Sequence, residues 1–188
     1  MESIDGWAFS GCTSIKSVVI PKGVKQISHS VFDDCANLTS IVVSEENPIY
    51  DSRENCNAII HTSTNELVLG NHSSTIPNTV RRIGHAAFYD CKDMKAIYIP
   101  DSVTSIGSSA FYGCSSLTSV VFSENSQLTS IGSSAFRNCT GLTSITIPNS
   151  VISIGSYKEG NNTTSAFSGC NQLTKLIIED GYMYIDLG

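Results

Sequence analysis

Pro100-Asp-Ser-Val-Thr-Ser-Ile-Gly-Ser-Ser-Ala-Phe-Tyr-Gly-Cys-Ser-Ser-Leu-Thr-Ser-Val-Val-Phe122 decides the fold, because nearly the same string returns along the whole chain. Its skeleton is Val-x-x-Ile-Gly-x-x-Ala-Phe-x-x-Cys-x-x-Leu-x-x-Ile-x-Ile. The aromatic anchor recurs at Phe9, Phe32, Phe88, Phe111, Phe136 and Phe167, at successive spacings of 23, 56, 23, 25 and 31. Three positions after each comes a cysteine: Cys12, Cys35, Cys91, Cys114, Cys139 and Cys170. A unit this short cannot bury its own apolar face and must stack on its neighbours.

The apolar pattern inside each unit has two parts. Leu38-x-x-Ile41-x-Val43, Met94-x-x-Ile97-x-Ile99, Leu117-x-x-Val120-x-Phe122 and Leu142-x-x-Ile145-x-Ile147 alternate as strands do, with β-branched residues dominant. Val24-x-x-Ile27, Val80-x-x-Ile83, Val103-x-x-Ile106 and Val151-x-x-Ile154 form a second, shorter extended stretch. Pro21, Pro77, Pro100 and Pro148 sit between the two parts, where a residue without an N–H marks a corner. The Ala-Phe-x-x-Cys step has room for one helical turn. Rungs stacked at about 4.8 Å would place identical residues over one another as parallel ladders of Phe, Cys and Ile/Val. The expected fold is therefore a β-rich repeat solenoid.

The unequal spacings locate insertions in what is otherwise one domain over residues 1–188. The long interval between Phe32 and Phe88 holds Ala58-Ile-Ile60, a polar turn from His61 to Asn65, and Glu66-Leu-Val-Leu-Gly70. This predicts a hairpin-like insertion over about 47–76. The polar stretch at 157–164 predicts a loop leaving the solenoid.

The repeated unit resembles the BspA-type leucine-rich repeat from Ile4 to about Ile178, the two insertions apart. That resemblance implies a right-handed leucine-rich repeat coil with a parallel sheet on its concave side, short second strands and short helical turns, with cysteine at the corner where other such repeats carry an asparagine ladder. It also implies a cell-surface or secreted protein that adheres to host proteins or other cells.

Composition narrows the function classes. The chain carries 11 Lys and Arg against 17 Asp and Glu, a net charge of −6, which argues against a nucleic-acid footprint. No run of 18 apolar residues is present to span a membrane. The periodic cysteines lack the close pairing that zinc sites use. In-register thiols rarely meet the dihedral a disulfide needs, so reduced, packed cysteines are expected. Cys56, between Asn55 and Asn57, stands outside the repeat. His29 and His85 share a repeat position with Gly6, Ser108, Ser133 and Ser156, which reads as a solvated turn. His61 and His72 flank the hairpin and could approach each other, but the spacing places no third ligand beside them. No nucleophile elbow, metalloprotease or phosphate-loop motif occurs, so no catalytic residue, metal or cofactor is assigned.

The surface of interest is the outward side of the longer strands. The residue between the last two apolar positions points away from the core. In register these are Val19, Val42, Tyr98, Val121, Thr146 and Ile177, beside a small-polar column of Ser17, Ser40, Ala96, Ser119, Ser144 and Lys175. A mostly apolar stripe of this kind suits a protein partner, such as a host extracellular-matrix or cell-surface protein; cross-strand pairing between β-branched residues would produce the same composition without one. The alternative function is a structural spacer that displays other domains. Neither terminal unit carries an obvious polar cap, so edge pairing of the open ends into an oligomer is a further expectation.

Overall fold

The structure, a computed structural model, describes residues 1–159, 162–178 and 184–185. The described residues wind into a parallel β-coil of about seven turns, with one short 3-10 turn at Arg53–Asn55 among them. Each complete turn contributes one four-residue strand, a proline or polar corner, one two-residue strand and a second, tighter corner.

The four-residue strands pair in parallel and in register. Ser17–Ile20 lies against Ser40–Val43, Ala96–Ile99 against Ser119–Phe122, and Ser144–Ile147 against Lys175–Ile178. The two-residue strands build a longer ladder. Arg82–Ile83, Ser105–Ile106, Ser130–Ile131, Ser153–Ile154 and Tyr184–Ile185 follow one another in parallel, each isoleucine over the previous one. This ladder continues through the Phe32–Phe88 segment. Glu66–Leu69 pairs in parallel with Arg82–Ile83, then antiparallel with Ile59–His61, which pairs antiparallel with Tyr50–Asp51.

That segment stands in for one rung and divides the core. Its strand residues serve both sides: Ile59 and Ile60 alternate, and the register shift between them pairs Ile59 with Leu69 and Ile60 with Leu67, so Leu67 and Leu69 also part. Tyr50, Ile59 and Leu69 join the first cluster, with Ile20, Val24, Phe32 and Leu38. Cys56, Ala58, Ile60 and Leu67 join the second, with Phe88, Phe111 and Phe136. Cys56 is therefore buried, and burial pushes its thiol pKa up. Arg53 ties the segment together: its Nε and Nη2 grip both oxygens of Asp51 while its Nη1 reaches Asn65 Oδ1 at 2.8 Å. Where a loop was expected, Ser156–Glu159 pairs antiparallel with Asn162–Ser165 in a separate two-stranded ribbon.

The tight corner explains the Ala-Phe-x-x-Cys signature. Phe88, Phe111, Phe136 and Phe167 stack with centroids 5.1, 5.1 and 5.4 Å apart and planes within 4° of parallel. Each cysteine then satisfies a carbonyl of the rung before. Cys114 Sγ donates to the Phe88 carbonyl at 3.1 Å, Cys139 to Phe111 at 3.1 Å, and Cys170 to Phe136 at 3.0 Å. All seven cysteines are free thiols. The anticipated helical turn is realised as separate hydrogen-bonded turns because the residue before each cysteine is left-handed. Gly11, Asp34, Asp90, Gly113, Asn138 and Gly169 all have positive φ there. This is why only Gly, Asn and Asp occupy that position.

The Ile-Gly step has a different cause. The glycines are not left-handed; the rungs simply approach too closely for a side chain. A Cβ on Gly107 would meet the Gly84 backbone at 2.7 Å, and one on Gly132 the Ser108 backbone at 2.5 Å.

The corner ladder sets two expected stabilities in urea melts. Phe111→Ala, which opens a cavity between two stacked rings, should cost about 3–5 kcal/mol. Cys139→Ala, which removes the thiol donor but leaves the Phe111 carbonyl the Cys114 N–H, should cost about 0.5–1.5 kcal/mol.

Candidate functional site

Two features stand out on this scaffold. The first is the stripe on the four-residue strands. Val19 faces Val42, Tyr98 faces Val121, and Thr146 faces Ile177 across the paired strands. Among the described residues, Val19, Val42, Tyr98, Val121 and Ile177 account for five of the nine large hydrophobic side chains left exposed, at 67, 45, 53, 49 and 38%. The stripe is not continuous. The inserted segment separates Ser40–Val43 from Ala96–Ile99. A second break falls between Ser119–Phe122 and Ser144–Ile147, which do not share a ladder. There the Phe111–Phe136 spacing is longer than the Phe88–Phe111 one, and a groove lined by Val120, Val121, Ser144 and Thr146 opens between the strands.

The second feature was not visible in the sequence. Asp33 and Asp34 sit on the corner of one rung and Asp90 on the corner two rungs on. The inserted segment contributes no corner of its own between them, so a cleft of about 250 Å³ remains. Its floor is Leu69, Gly70, Asn71 and His72. Gly70 is required there because a Cβ would overlap the Phe88 ring. A carboxylate oxygen from each of Asp33, Asp34 and Asp90 lies within 4.8 Å of the others.

One cation serves this cluster. Lys92 Nζ contacts Asp34 Oδ1 at 2.5 Å and Asp90 Oδ2 at 3.9 Å. Asp33 Oδ1 is buried without a hydrogen-bond partner. Burial first, then the Asp90 and Asp34 charges, push Asp33 from 3.8 up to about 6, against the opposing pull of Lys92. Burial raises Asp90 as well. Asn71 is only 5% exposed; its Oδ1 accepts the Ser73 N–H at 2.7 Å, and its Nδ2 is buried with no partner.

His85 is exposed, as its place on a solvated turn implied, and His29 is half-buried; the contacts of the histidines are what the spacing did not suggest. His29 and His85, two rungs apart in sequence, meet across the missing rung with ring centroids 5.1 Å apart, and Trp7 packs on His29 at 5.3 Å. His61 instead packs edge-on to Tyr50 and contacts Ser63 Oγ, while His72 lines the cleft floor. The seven free cysteines include no low-pKa thiol among those whose shift is resolved; burial is a raising cause for each. Among the described residues no helix is long and apolar enough to cross a membrane.

Asp33 gives this site a pH signature. The folded chain holds the Asp33 proton more tightly than the unfolded chain, so ionising it costs stability. The cost is absent below pH about 4, grows as pH rises, and is complete above about 6. Asp33→Asn should therefore raise stability at pH 7 by about 1–2 kcal/mol after solvent screening, and the gain should vanish at pH 3.5–4 in paired denaturation curves.

Comparison with known proteins follows the same architecture. The BspA type leucine rich repeat region model matches residues 1–68 and 60–186 in six copies. A leucine rich cell surface protein of Faecalibacterium prausnitzii is 29% identical with a TM-score of 0.63, over 96% of this chain and 52% of that one. A leucine-rich repeat protein of Eubacterium ventriosum shares the fold at 24% identity and a TM-score of 0.57, over 87% of this chain and 49% of that one. The pneumococcal vaccine antigen PcpA shares it at 23% identity and a TM-score of 0.54, over 96% of this chain and 36% of that one. The chain thus spans about half, or less, of the length of these structures. No curated protein sequence matches it. Repeats of this kind generally mediate protein interactions and are generally non-enzymatic. On the repeat count, the matched span and the coil itself, the chain belongs to the BspA type leucine rich repeat family.

Proposed function

We propose that this chain is a non-enzymatic protein-binding module of a surface or secreted protein, and that it adheres through the exposed face of its four-residue strands. The observation that carries this is the composition of that face. Strands with one buried side normally turn polar residues outward, yet here Val19, Val42, Tyr98, Val121 and Ile177 remain exposed in register. Cross-strand pairing accounts for β-branched residues but not for an exposed tyrosine at the centre of the stripe. Tyrosine supplies a large contact area with few rotors to freeze, which suits the centre of an interface.

The F. prausnitzii relative is a cell surface protein, which supports the same location for this chain. A host extracellular-matrix or cell-surface protein is the partner this location favours. The rigid coil holds the stripe's residues at fixed spacing, so little ordering entropy is lost on binding.

The test is a screen of the purified chain against immobilised matrix and plasma proteins and a glycan array, run beside a Val42→Lys, Tyr98→Ala, Val121→Lys variant. Saturable binding that drops by at least about tenfold in the variant is the expected result. Binding unchanged in the variant would sink the strand-face assignment. Absence of binding across the panel would favour a spacer that displays other domains.

A further inference from the structure

We propose that the missing rung is a hinge: residues 1–46 rock as one block about the Asn47 corner, opening and closing the cleft between the Phe32–Cys35 and Ala86–Cys91 corners. The inference does not rest on the strand-face reading. It bears on that face because Val19 and Val42 ride on one block and Tyr98 and Val121 on the other, so the stripe keeps a fixed spacing within each block only.

The first argument is connectivity. Ser3–Ile4 and Gln26–Ile27 pair only with each other, as do Ser17–Ile20 and Ser40–Val43, so among the described residues no strand ladder joins residues 1–46 to the rest. The inserted segment is laddered instead to the rung that follows it, Glu66–Leu67 on Arg82–Ile83, and the Gly70 N–H donates to the Ala87 carbonyl. At the tight corner, the Phe9 and Gly11 N–H groups donate to the Val31 and Asp33 carbonyls of the next rung, and those of Phe88 and Asp90 to Ala110 and Tyr112. Among the described residues no such bond leaves Phe32 or Asp34, because the corner that would receive it is absent. The hydrophobic clusters on the two sides are likewise separate.

The second argument is where the block is tied. At the proline corner, Asn47 Nδ2 donates to the Pro21 and Val24 carbonyls at 3.0 Å each, while its Oδ1 accepts the Ile49 and Tyr50 N–H groups. The Val43 N–H bonds Ser52 Oγ beside it at 2.9 Å. At the phenylalanine corner opposite, the polar and ring contacts across the gap are between side chains alone: Lys92 Nζ with Asp34 Oδ1, and His29 with His85. A seam pinned along one side and latched on the other can turn about the pinned side.

The third argument is what the closed form leaves unsatisfied. Among the described residues four buried side-chain N or O atoms lack a hydrogen-bond partner, and three of them, His29 Nδ1, Asp33 Oδ1 and Asn71 Nδ2, belong to residues along this seam. Closure also holds carboxylate oxygens of Asp33, Asp34 and Asp90 within 4.8 Å of one another. A second cavity of about 300 Å³ remains between Ile27 and His29 on one side and Val68 and His85 on the other. Unpartnered polar groups and crowded like charges both work against the closed form, and water relieves them on opening. Burial of Phe32, Leu38 and Leu69 and the Lys92 latch work for it. The two forms are set against each other by groups at one seam, which is what a two-state element requires.

The test is a pair of spin-label distances in the full chain, measured by double electron–electron resonance with labels carried on an unnatural amino acid so that the native thiols stay untouched. Labels at Ser14 and Ser116 span the mouth, and labels at Lys22 and Asp101 span the same two blocks at the pinned corner; all four positions are exposed. Lys92→Met, which removes the latch, should broaden the mouth distribution and lengthen its mean by about 5 Å, one rung spacing, with the corner pair unchanged. Asp33→Asn, which removes one repelling charge, should shorten and narrow it. Identical mouth distributions in all three proteins, equal lengthening of both pairs, or lengthening by Asp33→Asn would each overturn the hinge. No ligand enters the measurement, so its failure leaves the strand-face reading standing, and a binding screen without hits leaves the hinge standing.

Discussion

The constraint on which everything else depends is that each residue must tolerate its own equivalent one rung away. Phenylalanine meets that demand by stacking: centroids 5.1 Å apart with planes 4° from parallel place one ring flat on the next. Isoleucine and valine meet it by fitting the pleat of parallel strands. Glycine meets it by absence, where the rungs close to within 2.7 Å of a would-be Cβ. The rest of the repeat follows. Cysteine is selected because its small, weakly polar thiol can be buried and still donate to the carbonyl of the phenylalanine in the rung before. The residue before it must turn left-handed, so the choice contracts to Gly, Asn or Asp.

That last preference links fold to chemistry. In an unbroken stretch of rungs, an aspartate at the left-handed corner is accommodated by its neighbour. Asp90 shows how: its carboxylate takes the space over Gly113, where a Cβ would overlap its oxygen. On its other side no corner follows, because the inserted segment replaces a rung in the strand ladder but not at the corner. Asp34 and Asp90, each chosen for backbone reasons, then face one another with Asp33 beside them. A site of concentrated charge arises from a local omission in a regular array.

The same account explains what could be read from the sequence. The coil, the phenylalanine and cysteine ladders, and the outward positions of Val19, Val42, Tyr98 and Val121 were legible because they depend on period alone. The hairpin character of Glu66–Leu69 and Ile59–His61 was legible from apolar runs around a polar turn. The complete burial of Cys56 goes further than its place outside the repeat could indicate, because the segment acts as a partition between two cores and encloses it. His29 and His85 were read as solvated because their repeat partners are glycine and serine. His85 is indeed exposed and His29 half-buried; their edge-on contact, which the spacing did not suggest, follows from the corner missing between them. Asp33 and Asp90 lie on opposite sides of the inserted segment, each inside its own Phe-x-x-Cys corner, and nothing in the spacing joins the two corners. One signal could have found them: the interval between Phe32 and Phe88 contains no further Ala-Phe-x-x-Cys corner, which places the two flanking corners next to each other.

If the strand face binds as proposed, the interruptions matter more to recognition than the repeats do. A perfect array presents one surface many times over, and any partner that fits one rung fits the next with equal energy, so position along the coil is undefined. The two breaks in the strand face, at the inserted segment and at the lengthened repeat before Leu128, divide the stripe into distinguishable pairs, with Tyr98–Val121 between them. The cleft adds a feature that occurs at one rung only. Hydrophobic burial is tolerant of register, whereas a carboxylate cluster found at one place among the described residues is not. The regular rungs present the same surface repeatedly, and the place where the repeat lapses makes one position along the coil different from the rest.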